Sequence, residues 1–170
     1  VVTNDANVWA YNTEVYDKCP VSNIWQLTEP QWKGKVALQD PLGKPNYDDW
    51  FNQMQTHDDA KVAAAYKALY GKDLKTDEES ATKAWVKALA QNSPLLTSSD
   101  DEASAAAGAP GQKEPFMALV SSAKFRNNAD MGYKLGLCTG MDPWSGWLSS
   151  KVALISAGTD SPNASRLFIH

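Results

Sequence analysis

The stretch from Trp25 to Pro41 constrains this chain more than any other, because it reads as a connector feeding one short buried strand. Val36-Ala37-Leu38 is an apolar run between Lys33-Gly34-Lys35 and Asp40-Pro41, the pattern of a brief strand bounded by polar turns. Gly43-Lys44-Pro45-Asn46 follows and opens a helical pattern. A strand that ends in a glycine-containing loop and starts a helix leaves free backbone N–H groups at the helix N-terminus, facing out from the carboxyl edge of a sheet. Anions are attracted to such a place.

Periodicity predicts the remaining elements. Asn7 to Tyr11 reads as a strand, and Ser22 can cap a short helix carrying Ile24, Trp25 and Leu27. After the strand Lys35 to Gln39, a helix from about Tyr47 to Gln55 carries Trp50, Phe51 and Met54 on one side. A second begins near Asp58 as its cap, with Val62, Tyr66, Leu69 and Tyr70 at helical spacing and Gly71 as the stop. Thr76 and Glu79 have capping-box spacing ahead of the stripe Ala81, Ala84, Trp85, Ala88 and Leu89. Asn92-Ser93-Pro94 ends that helix, and a weaker Ala-rich one spans Asp101 to Ala107. Strands are expected at Phe116 to Val120, Tyr133 to Cys138 and Val152 to Ile155, with Gly140 to Trp147 as a loop. At the C-terminal end Ser161 and Pro162 start a helix with Ala164, Leu167 and Phe168 on one face, and His170 is terminal. Strands alternating with helices argue for a layered α/β domain.

Composition narrows the function. The 170 residues suffice for one core, hydrophobic residues make up 43% and charged residues 21%, and no apolar run is long enough to cross a membrane. A net charge of -4 on scattered side chains offers no basic stripe, so nucleic acid is not expected as a partner. Most of the seven tryptophans and six tyrosines are expected in the core. The two cysteines, Cys19 and Cys138, can pair or remain buried thiols, and the sequence leaves both open. With no Cys-x-x-Cys or Cys/His cluster, neither zinc nor another cofactor is implied. No leader segment is visible and both ends look cut, so the chain reads as one piece of a longer protein.

Chemistry is expected in three loops that follow or precede strands. The first holds Gly43, Lys44, Asn46 and Tyr47, the second Ser98, Ser99 and Asp100, and the third Ser121 and Ser122 with Lys124 nearby. In an open α/β sheet such loops converge on one crevice, here with N–H groups, hydroxyls, an amide and an ammonium suited to a polar or phosphorylated small molecule. One helix N-terminus contributes only about 0.3 to 1 kcal/mol towards an anion, so the loops must act together and a second lobe must exclude water. Each serine serves equally well as a helix cap. His57 is a further candidate contact because it stands beside Asp58, yet no Gly-x-Ser-x-Gly elbow or reactive cysteine supplies a nucleophile for that pair. The acidic residues Glu78, Glu79 and Asp100 to Glu102 sit at helix starts, where the dipole favours them.

The run Trp25-Gln26-Leu27-Thr28-Glu29-Pro30-Gln31-Trp32-Lys33-Gly34-Lys35-Val36-Ala37, followed by Asp40-Pro41, resembles the second lobe of periplasmic solute-binding proteins of ABC importers. The similar branch contains ferric-ion binders and hexose-phosphate binders. Val8 to Glu14, Ala84 to Lys87 with Gln91 to Pro94, Met117 to Val120 and Ser161 to Ile169 match in the same order. The resemblance implies a type II periplasmic-binding-protein-like lobe, a layered sheet with helices on both faces, divided as 1–12 hinge strand, 13–150 solute-binding lobe and 151–170 return strand and helix start. It also implies a periplasmic or lipid-anchored location, a membrane ABC permease as partner, an N-terminal lobe on the same polypeptide, and an anionic small solute. Ferric-binding relatives carry adjacent tyrosines after the strand matching Phe116 to Val120, where this chain has Ser121-Ser122-Ala123-Lys124, so sugar phosphate is favoured over iron. Two other readings compete. One is an enzyme domain acting on sugar phosphates through His57 and Asp58, and the other an interaction module using Trp144 and Trp147 on an exposed loop.

Overall fold

The computed structural model describes residues 3–169. Strand β1 (Thr3–Asn12) is followed, after 3-10 turns at Ile24–Thr28 and Pro30–Trp32, by β2 (Val36–Gln39). Helix α1 (Pro45–Gln53) runs through a π-helical turn at Met54–Asp58 into α2 (Asp59–Tyr70), and α3 (Ala81–Gln91) packs against α2. β3 (Leu95–Thr97), α4 (Asp100–Gly108) and β4 (Met117–Ser121) come next. α5 (Asn127–Asp130), β5 (Leu135–Leu137), β6 (Gly146–Lys151) and α6 (Pro162–Ile169) complete the described chain.

One six-stranded sheet runs in the order β3-β2-β4-β1-β5, with β6 also paired to β1. β2 is parallel to β3 and β4, whereas β1 is antiparallel to β4, β5 and β6. Alternation along the strands separates two cores. Trp9, Tyr11, Val36, Leu38, Met117 and Leu119 meet Tyr47, Trp50, Val62, Trp85 and Leu89 from α1 to α3. Ala10, Ala37, Ala118 and Val120 meet Ala103 and Ala107 of α4. Bulk on one face and small side chains on the other allow α4 to lie close to the sheet, giving the expected layering with helices on both sides.

Several local expectations give way to the tertiary structure. Asn23, not Ser22, caps the first 3-10 turn, forming a reciprocal box with Gln26. Asp58 does not cap a new helix, because α1 and α2 are joined by the π turn and the Asp58 carboxylate instead pairs with Lys61 at 2.7 Å. Thr76 and Glu79 form no capping box. Thr76 Oγ1 accepts from the Glu78 amide, and α3 starts four residues later with Ser80 accepting from the Lys83 amide. The strand expected at Tyr133 to Cys138 shortens to β5, and the one expected at Val152 to Ile155 falls earlier, at β6 inside the supposed loop. β6 stays there because Thr3 pairs with Lys151, so the described part of β1 offers Val152 no partner. Gly146 permits that pairing, since a Cβ on it would overlap the Asn7 carbonyl. Cys19 and Cys138 form a disulfide, which resolves the pairing left open by the sequence. The α6 stripe is solvent-exposed, and His170 lies outside the described residues.

The start of α3 is also capped from outside. Asp59 Oδ2 accepts from the Ala81 amide at 3.1 Å and Oδ1 from the Thr82 amide at 2.7 Å. Partial desolvation opposes ionisation of Asp59, but the amide donors outweigh it and hold the carboxyl below its ordinary 3.8. A depressed folded-state value adds stability above the unfolded carboxyl's pKa, and this is lost as pH falls through the folded value. Asp59→Asn is therefore expected to cost about 1 kcal/mol at neutral pH and to flatten the loss of stability below about pH 4, read by urea titration across pH.

Candidate functional site

Parallel strands β2, β3 and β4 end on the same sheet edge, and the segments that follow them meet there. After β2 a 3-10 turn at Pro41–Gly43, capped by the Asp40 carboxylate accepting from the Leu42 amide at 3.0 Å, sets Lys44 ahead of α1. Lys44 Nζ donates to Asp100 Oδ1 at 3.1 Å and to Asn7 Oδ1 at 3.5 Å, and lies 5.2 Å from the centre of the Tyr47 ring. The Ser121 amide donates to Asp100 Oδ2 at 3.3 Å, and Ser121 Oγ donates to Asp5 Oδ1 at 2.7 Å. The three loops proposed from sequence are thus joined by one polar chain through Lys44, Asp100 and Ser121.

The individual side chains differ from expectation. Gly43, Asn46 and Ser122 are exposed on the rim. Tyr47 is buried, its hydroxyl donating to the Leu119 carbonyl at 3.3 Å, and burial with the nearby Asp100 charge pushes the phenol well above its ordinary value. It sits in the core beneath the rim. Ser99 Oγ caps α4 by accepting from the Glu102 amide at 3.3 Å. The Ser98 amide and hydroxyl donate to the Glu102 carboxylate at 2.9 and 2.8 Å, so one of the protein's own carboxylates occupies that anion-attracting place. Ser121 is buried and caps the turn after β4. Lys124 is held by Asp101 at 2.7 Å. His57 is exposed in the π turn, on the order of 15–20 Å along the helix from Pro45. No group of three His, Cys, Asp or Glu side chains among the described residues is placed to hold a metal ion.

Two contributors escaped the sequence reading. Asp5 and Asn7 come from β1, whose pattern gives no hint that its polar residues meet loops more than thirty positions away; only the antiparallel pairing of Asn7 with Ser121 brings them there. Trp147, expected on an exposed loop, instead sits in β6 and stacks on Trp50 at 4.2 Å and 12°. Between α1 and β6, next to the rim at Asn46, lies a cleft of about 570 Å³.

Because Lys44 and Asp100 are both largely shielded, with 18% and 15% of their side-chain surfaces exposed, each leaves the other poorly compensated when removed. A double-mutant cycle with Lys44→Met and Asp100→Asn is expected to give a coupling of about 1–2 kcal/mol in chemical unfolding. A coupling near zero would mean the loops meet without holding one another.

No family model and no curated protein matches the chain. Solved structures do. Iron-bound HitA from Pseudomonas aeruginosa superposes with a TM-score of 0.57 at 18% identity, over 98% of this chain and 48% of that one. Ferric iron-binding protein A of Mannheimia haemolytica, in an open conformation, gives 0.59 at 15% identity with the same two coverages of 98% and 48%. The ferric binding protein from Campylobacter jejuni gives 0.51 at 15%, over 86% and 42%. The fold is periplasmic-binding-protein-like. The chain spans about half the length of the first two structures, and at these identities the likeness is one of architecture alone.

Proposed function

We propose that this chain is the solute-binding lobe of a two-lobed receptor that works without catalysis and delivers a small anionic, hydroxyl-bearing molecule to a membrane ABC permease. The observation carrying this reading is the convergence of three strand ends on a rim through Lys44, Asp100 and Ser121. Lys44, the uncapped start of α1 at Asn46 and the exposed Ser122 would face the solute, while Asp100 and Ser121 hold them in place. An anion and Asp100 compete for Lys44, so this half-site is weak alone. A second lobe closing over the rim would exclude water and strengthen each contact. Strands β1 and β6 are proposed to cross between lobes, and the apolar stripe of α6, with Phe168 93% exposed, to be covered by the other lobe. The Cys19–Cys138 bridge suits an oxidising compartment, which supports a periplasmic location.

Sugar phosphate is the favoured solute in this reading, ahead of ferric ion. The nearby phenol, Tyr47, is buried with its hydroxyl donating to the Leu119 carbonyl, and Lys44 brings an ammonium that suits phosphate oxygens. The named ligands of the similar structures keep ferric ion as the second reading. Calorimetry on a two-lobed protein containing this chain, titrated with glucose 6-phosphate, inorganic phosphate and ferric citrate, separates the two. Saturable sugar-phosphate binding that weakens in Lys44→Ala supports the proposal. Binding of ferric citrate alone would replace it with the iron reading, and no saturable binding by any of the three would remove it.

A further inference from the structure

We propose that the cleft between α1 and β6 is a separate binding site for a small organic ammonium ion. Its volume, about 570 Å³, falls in the range of small-molecule sites. One wall is the helical stripe Asn46, Asp49, Trp50 and Gln53, spaced three and four residues apart so that all face the same way. Trp147 of β6 closes against it by stacking on Trp50, so the two indoles form one side of the cleft with Trp144 and the β6 residues Leu148 to Ser150. Aromatic surface and carboxylates line this cleft, and none of its lining residues is Lys, Arg or His.

Each part of that wall favours a cation. The face of an indole carries negative charge density, which attracts an ammonium and does little for an anion. Asp49 is exposed and stands in no ion pair among the described residues, whereas Asp58 at the far end is matched by Lys61. One unmatched negative charge therefore remains at the cleft. A phosphate or carboxylate ligand would be repelled there, and a neutral sugar would leave the charge unanswered. The aromatic wall is also held rigid before any ligand arrives. Trp147 stacks on Trp50, Tyr47 meets Trp147 edge-on at 5.2 Å, and Trp85 meets Trp50 edge-on at 6.1 Å. Trp50 is only 6% exposed and lines the cleft. The π turn at Met54–Asp58 closes the end of the cleft, and π turns within α-helices recur at binding sites.

The cleft adjoins the rim at Asn46, but its ligand class does not rest on the solute proposed there. The test is calorimetry and tryptophan emission on the chain itself, with choline, methyl α-glucoside and inorganic phosphate as probes. Choline is expected to bind saturably and more weakly as salt rises, with methyl α-glucoside giving no saturable response and any phosphate response, as a rim contact, persisting in Asp49→Lys. Asp49→Asn, at an exposed position that should leave the fold intact by circular dichroism, is expected to weaken choline by about tenfold, and Asp49→Lys to abolish it. Absence of saturable choline binding, or undiminished choline binding in folded Asp49→Lys, would each overturn the proposal. Glucose 6-phosphate binding by the two-lobed protein is expected not to weaken in Asp49→Asn, so failure of either site is read separately.

Discussion

Replacing Trp85 by alanine is expected to lower the unfolding free energy by about 3–5 kcal/mol, the range for removing a large buried aromatic. Trp85 is fully buried where α3 meets the sheet and α1, edge-on to Trp50 at 6.1 Å and to Phe51 at 6.4 Å. Its indole Nε1 also donates to the Ile24 carbonyl at 3.0 Å, tying α3 to the first 3-10 turn. Loss of the ring thus leaves a cavity and takes a donor from a buried carbonyl together. Trp85→Phe separates the two effects, because it keeps most of the apolar surface and costs mainly the hydrogen bond, about 1–3 kcal/mol. Urea unfolding with an unchanged m-value would report both. A shift below about 1 kcal/mol for Trp85→Ala would show that α3 does not anchor this core.

Breaking the disulfide is the second large effect expected. Cys19 lies in the loop after β1 and buried Cys138 directly follows β5, so the bond joins positions 119 residues apart. Cys138 is further held by its amide, which donates to the Trp9 carbonyl at 2.9 Å. A cross-link over so long a loop removes much freedom from the unfolded chain, about 4–5 kcal/mol in the chain-entropy model and about 2–4 kcal/mol in typical measurements. The Cys19→Ser/Cys138→Ala variant should then melt about 5–15 °C below the parent. Reductant should reproduce that drop in the parent and leave the variant unmoved. Equal melting temperatures for the oxidised parent and the variant would contradict this account.

What was legible in the sequence follows from which interactions are local. Val36-Ala37-Leu38 is apolar on both sides because β2 is buried between α4 and the helices of the opposite face, so its strand character shows in the residues themselves. The stripes of α2 and α3 and the stop at Gly71, which adopts a φ of 68°, are likewise short-range signals. Caps proved less legible. Thr76 with Glu79 and Ser22 were plausible by spacing, but Ser80 and Asn23 serve because neighbouring elements fix where each helix begins. Asp59 illustrates this most clearly, since it caps a helix other than its own.

The candidate rim divides along the same line. Sequence marked Lys44, Asn46, Asp100 and Ser121 as polar residues at strand ends, because turn and cap chemistry is written in residue type. It did not show that Tyr47 points inward, that Ser98 is already engaged by Glu102, or that His57 stands well away along the helix.

Hydrophobic spacing by itself determined that this chain alternates strands and helices around a layered core, since burial of a periodic stripe depends only on neighbours within a few positions. Strand order, the Cys19–Cys138 bridge, the entry of Asp5 and Asn7 into the rim and the stacking of Trp147 on Trp50 were decided only by the tertiary structure. Each joins residues dozens of positions apart, and such contacts form only once the sheet has chosen its neighbours.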